Sequence, residues 1–297
     1  MTAAPPHHDR FGPRDCLIVA GMNLLWGLNI IAVKMSVELI EPLTAAFLRQ
    51  VIVLAICAPA LRIVPGHMRT LTVLGLLAGG LFYVLTNLSL AVTDNVAALA
   101  IAGQLGVPFS MILAVLVLRE RIHWPRMSGI ALAFAGVAVL LFDPAAGREW
   151  AGLALTALGS FVWALGSLLQ RGLRGVRVLT IYAWIGLWGT VTLGAAALVV
   201  EPRAMATIGA LPLSSLGWVA FSAIGSTLGG HGAMSWLLQR HPIATVTPLT
   251  LAAPVISVAT AAAYFHTPVT AVMMIGGGAA LVGVAIVTIR TARAGEA

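Results

Sequence analysis

Charged residues are scarce in this sequence. They make up 9% of the 297 residues, whereas hydrophobic residues make up 60%, and the mean hydropathy is +0.99. Because soluble domains carry about 25% charged residues, this composition excludes an ordinary water-exposed surface and predicts a protein of the lipid bilayer. The formal net charge of +7 does not indicate a nucleic-acid-binding surface, since the arginines lie in small groups between apolar runs.

Cysteines and groups suited to catalysis are also sparse. The two cysteines, Cys16 and Cys57, both lie inside apolar runs, which predicts small buried side chains and no disulfide framework. No two histidines have the spacing of a metal site within a helix, no nucleotide-binding loop is present, and no acidic residue falls near the middle of an apolar run. We therefore expect no catalytic residue, no metal, no cofactor and no carboxylate proton relay.

Long apolar runs are what the sequence does contain. A helix needs about 20 mainly apolar residues to span a bilayer. Ten runs of this kind are predicted to be membrane helices: 15–36, 42–62, 70–91, 95–118, 124–142, 150–170, 178–200, 213–238, 243–264 and 269–289. The polar residues 1–14 are predicted to be a disordered cytoplasmic tail. The run that follows them is long enough to remain as a membrane helix rather than to be cleaved as a signal peptide.

The distribution of arginine predicts the orientation of these helices. With the N-terminus on the inner side, the inner segments hold 13 arginines and the outer loops hold two, Arg148 and Arg203. An excess of this size over short loops follows the positive-inside rule. Both termini are therefore expected in the cytoplasm, and the protein is expected in the cell (inner) membrane as a multi-pass protein.

Residues recur in the second half of the chain at nearly constant offsets. Pro108 and Pro254 are 146 residues apart, and so are Gly79 and Gly225. Further pairs, at offsets of 147 and 137, are Gly129 with Gly276, Gly136 with Gly283, and Trp26-Gly27 with Trp163-Ala164. We therefore predict two five-helix units, residues 15–142 and 150–290. Because five is odd, the second unit crosses the membrane upside down relative to the first, which is an inverted repeat of the kind found in transporters.

The two matched prolines lie in the middle of predicted helices four and nine. A proline removes a backbone hydrogen bond and disturbs the helix around it. One interpretation is that Pro108 and Pro254 are paired hinges beside a cavity. The other is that both are packing features that the membrane tolerates. We favour the hinge interpretation.

These residues resemble a known repeat. A proline within a helix, then Arg119-Glu120-Arg121 at the helix end, then Gly129 and Gly136 on the next helix are similar to the EamA-type repeat of the drug/metabolite transporter superfamily. The likeness extends over residues 15–290 in two copies, and the second copy departs from the first by having His266 in place of Glu120. Within the superfamily the sequence most resembles YddG-type amino-acid exporters, which implies export of aromatic and other neutral amino acids.

Polar and aromatic residues near the middle of the helices are the candidates for substrate binding, because polar groups in the bilayer are costly unless they face a cavity. They lie on predicted helices one, three, four, six, eight and nine, which suggests an inner ring of helices around a cavity. Helices two, five, seven and ten are expected outside it, and the superfamily resemblance implies a similar arrangement. The candidates are Trp26, Asn29, Tyr83, Asn87, Gln104, Trp163, Thr227, His231, Ser235 and Thr250.

Several of these candidates together suit a zwitterionic amino acid. Asn87 and Gln104 each offer a donor and an acceptor to its ammonium and carboxylate groups, while Tyr83, Trp26 and Trp163 offer an apolar wall. Purely structural interpretations stay open: the tryptophans pack between helices, the amides hydrogen-bond to neighbouring helices, and the histidine is a core residue.

Two cations fall inside predicted helices. Lys34 has Glu38 one helix turn away, and Arg49 lies about two turns inside helix two. The interpretation that we favour is local ion pairing or extension toward the membrane surface; the alternative is that either cation meets a substrate carboxylate. Tyr182 on helix seven is expected to be a lipid-facing or interfacial aromatic residue.

These features predict an alternating-access exporter of amino acids that works by facilitated diffusion. Its partners are then the small-molecule substrate and the lipid bilayer, and ten helices in two repeats could work as a monomer. One alternative is an exporter of another small metabolite or drug, such as a nucleobase or a sugar. A membrane-embedded enzyme or receptor is the less favoured alternative, because the sequence offers no catalytic constellation and no loop long enough for a signalling domain.

Overall fold

The computed structural model describes residues 12–118, 124–143, 147–173, 175–238, 240–241, 246 and 249–294. Within these ranges every regular element is helical. The principal helices are α1 (Pro13–Leu39), α2 (Pro42–Ala60), α3 (Met68–Ala91), α4 (Val96–Val117), α5 (Trp124–Phe142), α6 (Trp150–Gln170), α7 (Val178–Val200), α8 (213–238), α9 (Ala252–Phe265) and α10 (Ala271–Ala294). The predicted motif Arg119-Glu120-Arg121, most of the tail 1–14 and part of the predicted helix 243–264 lie outside the described residues.

Helices α1–α7 and α10 are long and apolar enough to cross a membrane. Local sequence explains where several of them begin. Pro13 and Pro42 open α1 and α2, where a proline has a suitable φ and gives up no helical hydrogen bond. Asn95 opens α4, because its side-chain oxygen accepts a hydrogen bond of 3.2 Å from the Ala98 amide. Helix α8 carries serines and glycines along its length, and α9 has 14 residues in the described part of the chain.

The helices pack in pairs that repeat between the two halves of the chain. Helix α2 packs on α7 and α5 packs on α10. The contact of α1 with α9 has its counterpart in the contact of α6 with α4, and the contact of α3 with α6 has its counterpart in that of α8 with α1. Each of these six contacts joins a helix of the first half to a helix of the second, so the two halves enclose a shared centre.

The matched glycines meet where α5 packs on α10. A Cβ atom on Gly129 would lie 2.9 Å from the Gly283 carbonyl oxygen, and one on Gly283 would lie 2.5 Å from the Gly129 carbonyl oxygen. Gly136 and Gly276 have the same reciprocal relation, at 2.5 and 2.6 Å. Because these distances leave no room for a side chain, the glycines allow the two backbones to approach closely, as small residues commonly do in membranes.

We expect a methyl group at Gly276 to loosen this packing. The Cβ atom of Gly276→Ala would meet the Gly136 carbonyl oxygen at 2.6 Å and the Val139 side chain at 3.3 Å, and overpacking of this kind costs about 1–3 kcal/mol. Gly278→Ala, on the same helix, is the matched control, because no atom lies within 4 Å of its added Cβ. Thermal unfolding in detergent should show a lower midpoint for the first variant alone; equal midpoints would contradict this packing.

A turn lies within α4 and another lies directly before α9, at equivalent places in the two halves. In α4 the residues Gly103–Leu105 form a 3₁₀ turn, and the α-helix resumes at Gly106. In the second half Thr250 and Leu251 form a turn, and α9 begins at Ala252. Each matched proline is therefore the third residue of the α-helix that follows a turn. The backbone N–H at this position has no partner within the helix, so proline costs no helical hydrogen bond there. This corrects the expectation that Pro254 lies halfway along its helix, since in the described residues it lies in the first turn.

Helices α3 and α8 share a second departure from α-helical geometry. Gly75–Leu81 and Phe221–Gly230 are π-helical, and the two segments begin 146 residues apart. A π-helix widens the turn and shifts the side chains that follow it around the helix axis, and such segments are frequent at functional sites. In α3 the π segment ends just before Tyr83, and in α8 it contains Thr227.

Candidate functional site

Arg49, on helix α2, lies at the centre of the two halves. Its side chain is buried, with the residue 8% exposed. One terminal nitrogen, Nη2, donates a hydrogen bond of 2.8 Å to the Thr227 hydroxyl on α8, and the guanidinium carbon lies 4.7 Å from the centre of the Tyr83 ring on α3. Stacking on a ring and bonding to a hydroxyl both suit a guanidinium, so three helices fix the direction of this side chain.

Hydrogen bonds extend from Arg49 across α8 to α1. The Thr227 hydroxyl donates to the Ser222 carbonyl at 3.0 Å, five residues back, a spacing that the π-helical turn brings together. The Ser222 hydroxyl in turn donates to the Asn29 side-chain oxygen at 2.8 Å. A polar chain of this kind satisfies groups that would be costly if left unpaired in the bilayer.

His231 is enclosed by three aromatic rings. Its ring centre lies 5.3 Å from that of Trp26, 5.5 Å from that of Tyr182 and 6.1 Å from that of Trp163. The imidazole Nδ1 lies 2.9 Å from the Thr227 carbonyl oxygen, and because a carbonyl only accepts, Nδ1 donates. These rings come from α1, α6, α7 and α8, so they form an apolar wall built by both halves.

A narrow cavity adjoins Arg49. It has room for about one water molecule in this conformation and is lined by Val33, Ser36, Ala45, Arg49, Asn87, Val219 and Ser222. A wider cavity lies one helix turn further along α1, beside the α1–α2 turn, and its lining includes Glu38, Glu41 and Arg203. The polar centre is therefore closed to a solute the size of an amino acid, with a larger space next to it.

The structure brings most of the predicted site residues together. We call the following residues the central cluster: Trp26, Asn29, Arg49, Tyr83, Asn87, Trp163, Tyr182, Ser222, Thr227 and His231. Gln104, Ser235 and Thr250 were also predicted but are outside this cluster. Gln104 lies in the 3₁₀ turn of α4 and donates to the Ala100 carbonyl at 3.3 Å, and Thr250 lies in the equivalent turn before α9.

Three residues of the central cluster were not among the predicted site residues: Tyr182, Ser222 and Arg49, for which ion pairing or extension toward the membrane surface was favoured. The expectation that Tyr182 faces lipid is wrong, because its ring packs against His231. The expectation that α2 and α7 lie outside the ring of site helices is also wrong, because α2 supplies Arg49 and α7 supplies Tyr182 to the central cluster. A charge two turns inside an apolar helix was the available signal for Arg49; nothing in the residue pattern marked Tyr182.

Lys34, the other cation inside a helix, has a different environment. Its Nζ donates to the carbonyl oxygens of Leu90 and Thr93 at 3.0 and 2.7 Å, at the end of α3. The same atom lies 3.3 Å from a carboxylate oxygen of Glu38. These contacts match local ion pairing, and they place the positive charge at a helix C-terminus, where cations are stabilised.

An all-helical protein with apolar helices around a buried polar centre has the architecture of a membrane transport protein. Residues 14–142 and 150–289 each match the EamA-like transporter family. The chain therefore belongs to this family, which is part of the drug/metabolite transporter superfamily, and it is a multi-pass protein of the cell membrane.

Known proteins are similar to this chain over nearly its whole length. A protein of Escherichia coli K12 named "probable amino-acid metabolite efflux pump" is 28% identical over 92% of this chain and 94% of its own. A protein of the same name from Salmonella typhimurium LT2 is also 28% identical, over 92% and 94%. An uncharacterized transporter of Archaeoglobus fulgidus is 26% identical over 91% and 97%. A solved crystal structure, described only as that of a protein, superposes with a TM-score of 0.64 at 19% identity, over 96% of this chain and 99% of its own.

Proposed function

We propose that this protein is an alternating-access exporter of amino acids, with aromatic and other neutral amino acids as its substrates. The observation that carries the proposal is the central cluster, in which a buried cation, amides and hydroxyls lie beside an aromatic wall. A zwitterion needs partners for both charges in the bilayer, and its side chain needs apolar surroundings. The two relatives named as amino-acid metabolite efflux pumps support the same substrate class.

The repeated packing of the helices supports the transport mechanism. We infer ten membrane crossings in two inverted five-helix units, with α8 and α9 completing the second. In such transporters one unit rocks against the other around a site near the middle of the bilayer. The 3₁₀ turn within α4 before Pro108 and the turn before α9 that precedes Pro254 are then the bend points of the movement, and the seam between the units contains the central cluster.

Both termini are proposed to lie in the cytoplasm, and single cysteines can test this. We expect cysteines introduced beside Arg148 and Arg203 to react with a membrane-impermeant maleimide added to intact cells, because outer loops are accessible there. Cysteines beside Arg62 and Arg177 should react only after the membrane is opened. Labelling on the opposite sides would contradict the proposed orientation.

Export can be tested in intact cells. Cells that produce the protein and cells that carry the empty vector are loaded with dipeptides that release phenylalanine, tryptophan or threonine inside, and the medium is sampled by mass spectrometry. We expect faster appearance of all three amino acids with the protein present. Nucleobases and sugars, released inside the cells from suitable precursors, test the alternative substrates. Their faster appearance in the medium, with no change in the rate for the amino acids, would contradict the proposed substrate class.

We further propose facilitated diffusion without proton coupling. Every Asp and Glu that the structure describes lies at or beyond a helix end, the deepest being Asp15 and Glu38 in the terminal turns of α1, so no carboxylate is placed to carry protons through the central cluster. In proteoliposomes with an imposed pH gradient, labelled phenylalanine should equilibrate to the same final level as in liposomes with nigericin. Accumulation above that level in response to the gradient would overturn this proposal.

A further inference from the structure

Arg49 has hydrogen-bonding capacity that the protein leaves unused. A guanidinium has five N–H donors. One terminal nitrogen bonds to the Thr227 hydroxyl, while the Nε atom is buried without a partner in the part of the chain that the structure describes. Among the described residues no carboxylate lies within ion-pair distance of this side chain. A buried cation without an opposite charge is unfavourable in a membrane, which indicates that an anion completes the site.

The surroundings of the guanidinium indicate which anion. Its carbon lies over the Tyr83 ring, 4.7 Å from the ring centre. Arg49 also lines the narrow cavity, whose other polar lining residues are Ser36, Asn87 and Ser222. A planar fork with donors along one edge matches a carboxylate, which accepts two parallel hydrogen bonds.

We propose that Arg49 binds the carboxylate group of the transported solute and makes this group a requirement for transport. The inference rests on the proposed function, and it replaces the scheme expected from the sequence, in which neutral amides bind both charges, by a fixed positive charge aided by Asn87. Because Arg49 lies on α2 and its hydroxyl partner Thr227 lies on α8, the carboxylate is held at the seam between the two halves. Amines, amides, nucleobases and sugars lack the group and are excluded.

Lys34 shows that burial of a cation alone does not create such a site. Its residue is 4% exposed, comparable to Arg49. Yet its donors are occupied by two carbonyl oxygens and it has Glu38 as a counter-charge. Lys34 therefore provides a matched control, as a buried cation within the first two helices whose charge is already compensated.

Thermal stabilisation of the purified protein in detergent tests the inference with two pairs of probes. Phenylacetate and phenylacetamide differ only in having a carboxylate or an amide. Phenylalanine and phenylalaninamide differ in the same way, and both also carry an amino group. We expect the parent protein to bind each acid about tenfold to hundredfold more tightly than its amide, the range expected for hydrogen bonds to a charged group. Arg49→Met should remove this preference, and Lys34→Met should keep it.

Arg49→Lys covers the case in which the methionine variant does not fold. Lysine keeps the charge but offers a point charge instead of a planar fork, so the acid preference should fall but stay above unity. Equal binding of acids and amides by the parent, or an unchanged acid preference in a folded Arg49→Met or Arg49→Lys variant, would overturn the inference. If phenylacetate binds through Arg49 while no amino acid is exported by cells, the carboxylate site stands and the proposed function falls.

Discussion

Joining helix α2 to helix α8 is expected to stop transport almost completely. Ala45 and Val219 are both buried, belong to the same hydrophobic cluster and line the narrow cavity beside Arg49. They lie on different halves of the chain. If the halves must separate there to open the site, a covalent link between Ala45→Cys and Val219→Cys should lower transport by about 90% or more.

This experiment uses a background in which Cys16 and Cys57 are replaced by alanine, because both thiols are free. Copper phenanthroline forms the link, gel mobility measures its extent, and dithiothreitol should restore transport. Each single-cysteine variant, treated with the same oxidant, controls for damage to the protein. Full transport by protein that is completely cross-linked would contradict alternating access at this seam.

Replacing Trp163 by alanine is expected to change which amino acids are transported. The Trp163 ring centre lies 5.2 Å from that of Phe82 and 6.1 Å from that of His231, so its loss removes part of the aromatic wall. Large aromatic substrates depend on such a wall more than small ones do. We expect kcat/KM to fall about tenfold for phenylalanine and tryptophan, and by less than about threefold for threonine.

Two further variants sharpen this result. Asn87→Leu should reduce transport of all three amino acids together, because we propose that Asn87 contacts the carboxylate that they share. Trp124→Ala is the matched tryptophan control, since Trp124 is 80% exposed, and should leave the pattern unchanged. Removing a packed tryptophan ring can lower stability by up to about 3–5 kcal/mol, so thermal unfolding has to be measured first. Equal losses for large and small substrates in folded Trp163→Ala would contradict the proposed wall.

The bounds of most membrane helices could be predicted from the sequence. The predicted runs 124–142, 150–170 and 178–200 coincide with α5, α6 and α7 to within a residue. This works because about 20 consecutive apolar residues are rare outside membranes, and because proline, glycine and charge mark the ends. Helix α8 was also predicted within the same limits, although its serines and glycines weaken its apolar character.

The site was less accessible to prediction, for physical reasons. Depth along a helix predicted Trp26, Trp163 and His231 as candidates, and the structure places all three in the central cluster. Depth alone does not reveal rotation about the helix axis, and the π-helical turns in α3 and α8 alter that rotation. Arg49 could be recognised as unusual, but its lack of a counter-charge among the described residues depends on which helices pack beside it.

Counterflow of phenylalanine with the purified protein tests the central claim most directly. Proteoliposomes are loaded with unlabelled phenylalanine and diluted into a trace of labelled phenylalanine, so that exchange through a carrier concentrates the label inside for a time. We expect a transient excess of label over protein-free liposomes, and its loss on cross-linking Ala45→Cys to Val219→Cys. Entry of the label at the rate of protein-free liposomes, with a folded protein correctly inserted, would contradict the assignment of this protein as an amino-acid transporter.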